Sequence, residues 1–197
     1  MNSNKKENNK LKGPSLGYTD NHPNRSMWKE IASELEGEFK IKHNSGYELE
    51  IHEITIPHNK WIINISVSDT RPLKIKTSFN TNLDFNLTIS WEDVIEKILK
   101  RLGKKEVELG NDEFDKKYLV VSNKPDLVKK ILIKEMQDIM LKYNIYSLSY
   151  HTDKKIKSSE LLCVIQRKAG NKEMIMEIID LIKQLINNLV KTNIVNE

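Results

Sequence analysis

Apolar residues repeat along this chain first with a helical period, then with period two, and then with the two alternating. Trp28, Ile31, Ala32 and Leu35 fall at i, i+3, i+4 and i+7, one face of a helix that Ser26 caps and Gly37 ends. Period two follows. Phe39 and Ile41 predict a short strand, and Asn44-Ser45-Gly46 a turn. Tyr47, Leu49 and Ile51 share one face of a second strand until the apolar phase moves to Ile54 and Ile56, a slip that predicts a β-bulge near His52-Glu53. Pro57-His58-Asn59 turn the chain again. Trp61, Ile63, Ile65 and Val67 form a third strand, Leu73, Ile75, Thr77 and Phe79 a fourth, and Leu83, Phe85, Leu87 and Ile89 a fifth. Together they predict an antiparallel meander with one buried face.

The second half mixes the periods. Ser90-Trp91-Glu92-Asp93 reads as a capping box opening a helix with Val94, Ile95, Ile98, Leu99 and Leu102 inward and Gly103 at its end. Tyr118–Val121 reads as a buried strand. A long helix then starts near Pro125, where a first-turn proline is tolerated, with Leu127, Val128, Ile131, Leu132, Met136, Ile139 and Met140 on its buried side. Tyr146, Leu148 and Tyr150 alternate in one strand, and Leu161–Ile165 form another. The last helix, about residues 171–191, has an apolar stripe broad enough to contact two surfaces, for example the sheet and a second copy. The fold class is α+β, a mainly antiparallel sheet with helices on one face, in the order α-βββββ-α-β-α-ββ-α.

Composition changes the picture at the ends of the argument only. Residues 1–25 carry a net +3 and almost nothing to bury, so they predict a disordered polar tail before a single domain over 26–192. The whole chain of 197 residues has a net charge of +4, so the folded part is close to neutral and a dedicated nucleic-acid surface is disfavoured. Lys97, Lys100, Arg101 and Lys104 fall on one helix side, which a solvated face explains, and no aromatics interleave with basic residues as base-stacking platforms require. No window is apolar enough to span a bilayer and no signal peptide is visible, so the expected compartment is the cytoplasm. Carboxylates on the polar face of the last helix argue against its lying on anionic lipid. The lone Cys163 sits in an apolar run and reads as a buried, inert thiol.

Candidate chemistry is sparse. His43, His52 and His58 fall on a turn, a strand and another turn, and Glu48, Glu50 and His52 read as one solvated strand face, so no metal site is expected. His22 and His151 stand in polar segments. The weak candidates for a functional surface are Asp112, Glu113 and Asp115 around Phe114, since paired carboxylates can serve as acid and base or hold magnesium. Gly110-Asn111-Asp112 reads as a turn, and Lys116 and Lys117 interrupt any calcium-loop spacing, which favours a structural role. Nucleophile elbows, Walker loops and glycine-rich phosphate turns are missing, so no cofactor and no catalytic residue is predicted.

Trp28-Lys29-Glu30-Ile31-Ala32 and Phe114-Asp115-Lys116-Lys117-Tyr118-Leu119-Val120-Val121-Ser122 carry one resemblance. Over about residues 27–190 the chain resembles a group of uncharacterised bacterial domains with a Trp-containing first helix, a strand meander and a Phe-Asp-x-x-[Phe/Tyr]-x-Val-x-Ser strand. The resemblance implies bacterial origin and an α+β fold, with no activity to carry over. The sequence therefore predicts a non-enzymatic module that binds a protein partner or assembles with itself. The alternative is a small-ligand or lipid binder with a cavity between sheet and helices, and third an enzyme with a dispersed site.

Overall fold

The computed structural model describes residues 22–43, 50–68, 71–81, 83–91, 105–165 and 171–196. Within them nine strands form one sheet, and every neighbouring pair is antiparallel. The strands are β1 (Glu38–His43), β2 (Glu50–His58), β3 (Trp61–Ser68), β4 (Arg71–Asn80), β5 (Leu87–Trp91), β6 (Lys105–Glu106), β7 (Tyr118–Ser122), β8 (Ser147–Asp153) and β9 (Ser158–Ile165). The helices are α1 (Arg25–Glu34), α2 (Asp112–Lys117), α3 (Pro125–Ile131), α4 (Lys134–Lys142) and α5 (Lys172–Lys191). The α+β class and the element order follow the hydrophobic pattern closely.

The spatial order is β1-β2-β3-β4-β9-β8-β5-β7-β6. Only the first four strands form the expected meander. The β8–β9 hairpin lies between β4 and β5, pairing Ile75 with Cys163 on one side and Ile89 with Leu148 on the other. Inward residues of all the long strands join Trp28, Ile31, the α3 and α4 stripes and the α5 stripe in one core. At β1 and β2 the sheet lies so close to the end of α1 that a Cβ on Gly37 would stand 2.4 Å from the carbonyl oxygen of Thr55. Glycine is the residue that allows this approach.

Several local expectations change. The bulge at His52-Glu53 does not form: β2 keeps continuous register with both neighbours, and Glu50 and His52 continue the inward face of Ile54 and Ile56. The register shift lies instead between Ser66 and Ser68. Ser90 and Trp91 finish β5 instead of opening a helix, and residues 92–104, where the rest of that helix was expected, lie outside the described residues. Phe114–Lys117, expected to lead a strand, belong to the short helix α2, capped by Asn111.

The expected long helix after Pro125 breaks at Leu132–Ile133, where Ile133 is extended. Two side-chain amides take the carbonyls this frees: Asn188 Nδ2 donates to Ile131 O (3.0 Å) and Gln137 Nε2 to Leu132 O (2.9 Å). At the N-terminal side, His22–Asn24 form a turn of 3-10 helix and Arg25 opens α1, so these residues of the expected tail belong to the folded part. Residues 1–21 lie outside those described. No helix among the described residues is long and apolar enough to cross a membrane.

Candidate functional site

The acidic candidates do not converge. Asp115 turns its carboxylate onto the preceding loop, accepting from the backbone N–H groups of Leu109 (3.0 Å), Gly110 (2.8 Å) and Asn111 (3.2 Å). Gly110 has φ of +80°, which lets the three amides point together. Asp112 and Glu113 stand exposed in the first turn of α2. Asp115 thus holds the loop that leads into α2, while Asp112 and Glu113 face solvent.

The densest ionic cluster is one the sequence reading missed. Arg25 of α1 forms a fork with Glu50 of β2, Nε to Oε1 at 2.5 Å and Nη2 to Oε2 at 2.6 Å, and His52 Nε2 lies 2.6 Å from the same Oε1. All three are buried, His52 completely. Burial pushes the Glu50 carboxyl up, but the bonds from Arg25 and His52 outweigh it and hold it below the usual carboxylate range. The same bond raises Arg25. His52 also meets the ring of Phe39 edge-on at 5.3 Å. Shut from solvent, this cluster pins α1 to β2 and offers no approach to a substrate. Cys163 is likewise sealed, and burial pushes its thiol up to about 12. Among the described residues, no three His, Cys, Asp or Glu side chains gather with metal-ligand spacing.

An open site lies at one end of the sheet, where the β2–β3 turn meets the last turn of α5. A cleft of about 440 Å³ is lined by Asn59, Lys60, Trp61, Asn187, Val190 and Lys191. A second hollow of about 280 Å³ shares Lys60 and Trp61 and continues past Phe79 and Asn80 to Ser158 and Asn196.

The turn is built for this. Asn59 holds φ of +53°, a conformation that asparagine tolerates, and brings His58 and Trp61 opposite each other. Asn187 Oδ1 ties the turn to α5, accepting from Asn59 Nδ2 at 3.4 Å and lying 3.2 Å from His58 Nε2. Trp61, half-buried, packs edge-on against Phe79 at 5.5 Å, and Lys60 Nζ lies over its indole, 5.3 Å from the centroid. From Phe79 the aromatic contacts continue inward to Tyr150 and Phe85. The arrangement offers a fixed aromatic wall, several amides and two ammonium groups, with no carboxylate among its lining residues.

Alternation marked Trp61 only as a core residue of β3. What singles it out is its place at the end of a strand beside a turn, where the residue is only partly buried. Lys60, Asn187 and Lys191 carried no sequence signal, because 127 positions separate Lys60 from Asn187 in the chain.

No protein-family model matches the sequence, and no curated protein matches it. In fold, the chain is similar to the crystal structure of the mycobacterial trehalose monomycolate transport factor A, TtfA. The TM-score is 0.57 at 8% sequence identity, over 84% of this chain and 93% of that one. At that identity the likeness is one of fold alone.

Proposed function

We propose that this chain is a non-enzymatic binding module that takes a polar or amphipathic ligand in the Trp61 cleft, between the β2–β3 turn and the end of α5. One observation carries the reading: a half-open tryptophan, braced by Phe79, faces a cleft of about 440 Å³, within the usual size of small-molecule sites. A binding role fits better than a chemical one because the strongest ionisable cluster is locked in the core while the cleft pairs no acid with a base. The similar fold belongs to a transport factor for trehalose monomycolate, and no cargo is carried over from it at 8% identity.

A protein partner seated on the same tryptophan is the second reading. Trp anchors with polar rims recur in such interfaces. Self-assembly through α5 loses its basis, since Ile175, Ile178, Leu181, Ile182, Leu185 and Leu189 are all buried within the chain. Purification from the native host followed by native mass spectrometry tests the proposal. The wild type is expected to carry a small bound molecule that Trp61→Ala and Asn187→Ala lose. Retention of that molecule by both variants would place binding elsewhere.

A further inference from the structure

The tip of the β8–β9 hairpin adjoins the Trp61 cleft and adds what a ligand pocket alone does not need. Ile156 is 71% exposed at the apex, between Lys155 and Lys157. The tip is fixed: Asp153 Oδ1 accepts from Lys155 N (2.9 Å), Lys154 pairs with Asp84 (2.7 Å), and Lys157 O accepts from Thr81 N (3.0 Å). Ser158, the next residue, lines the hollow shared with Lys60 and Trp61. Lys191, Lys60 and Trp61 line the cleft, and Ser158 joins the hollow beside it to the tip that carries Lys155, Ile156 and Lys157.

Charge decides what this surface fits. Lys60, Lys155, Lys157 and Lys191 have no carboxylate partner among the described residues. The two carboxylates at the tip are occupied, Asp84 by Lys154 and Asp153 by its own turn. A solvent-facing isoleucine beside lysines that have no carboxylate partner among the described residues suits a bilayer interface. There the apolar apex enters the headgroup boundary and the ammonium groups meet phosphates.

We propose that this end of the molecule docks on an anionic bilayer surface, with Ile156 inserted and a phosphate-bearing headgroup reaching the Lys60–Trp61 rim. The proposal rests on the binding reading above and names its ligand. It differs from the arrangement considered for the last helix, which would have lain flat on the lipid. Here α5 stays in the core and only its last turn approaches the surface.

Co-sedimentation of the full chain with vesicles tests it. Vesicles of phosphatidylglycerol mixed with phosphatidylcholine are expected to bind the chain, pure phosphatidylcholine vesicles are not, and added salt should weaken the binding. Lys155→Gln with Lys157→Gln should lower affinity roughly 30-fold, from about 1 kcal/mol per lysine. Ile156→Asp, at a site too exposed to affect folding, should lose about tenfold, and Ile156→Trp should bind more tightly.

Equal binding by wild type and Ile156→Asp would overturn the docking proposal, as would equal binding to pure phosphatidylcholine vesicles. Vesicle binding that depends on Ile156 but ignores Trp61→Ala would keep the docked tip and remove the cleft. Absence of vesicle binding, alongside a Trp61-dependent bound molecule from the host, would keep the cleft and remove the bilayer.

Discussion

Glu50 shows how far one residue's role departs from its apparent character. In the chain it alternates with His52 on what reads as a polar strand face, and the fold turns that face inward because Arg25 meets it. Removing one charge of a buried ion pair is strongly destabilising, so Glu50→Gln should cost about 3–5 kcal/mol at neutral pH. The direction with pH follows from the lowered folded-state value of Glu50. Its contribution is full above the ordinary carboxylate value of 4.5 and is lost as pH falls through the lower, folded one. Urea unfolding of wild type and Glu50→Gln across the acid range should show a gap that narrows on acidification. A gap independent of pH would mean that the carboxylate is not what Arg25 needs.

At the level of elements, period two located the long strands because their inward positions are Ile, Val, Leu and Phe in strict alternation, as in Leu73, Ile75 and Phe79. Pairing was not legible. Nothing local in Ser158–Ile165 says that β9 joins β4, since that register links residues some 80–90 positions apart. The break between α3 and α4 was hidden for the same reason. The apolar stripe runs on through it, and the groups that stabilise it are Gln137 and, from α5, Asn188. Loss of either amide leaves a carbonyl short of a partner, so Gln137→Ala and Asn188→Ala should each cost about 1–2 kcal/mol. Hydrogen exchange should rise first in α3 and α4. Unchanged exchange there, with stability lost uniformly, would argue that the break is held by packing alone. The Trp61 cleft belongs to this class of features: each residue reads locally as ordinary strand, turn or helix, and the site exists only where Asn187 meets the β2–β3 turn.

For the whole molecule, the question is whether any surface remains that would pair two copies. The broad stripe of α5 suggested one, yet its apolar residues are buried against the chain's own sheet and against α1, α3 and α4. Open sheet edges are the other common route to association. Here one edge is β1, whose outward side carries Glu38, Lys40 and Lys42, with Lys40 paired to Glu38 and Lys42 to Glu53. The other is β6, two residues long. Strand addition at β1 would set these charges beside their symmetry copies, and β6, over the described residues, is too short to hold a partner. The large hydrophobics that are exposed among the described residues, Ile62, Ile133 and Ile156, lie singly on β3, at the α3–α4 break and at the β8–β9 tip. The purified chain should therefore run as a monomer in size-exclusion chromatography with light scattering, without concentration dependence. A dimer that survives Ile62→Ser, Ile133→Ser and Ile156→Asp would require an interface outside all of these surfaces. A dimer abolished by Ile156→Asp alone would mean that the hairpin tip meets a second copy, the one result that would turn the same apex from a membrane contact into a self-contact.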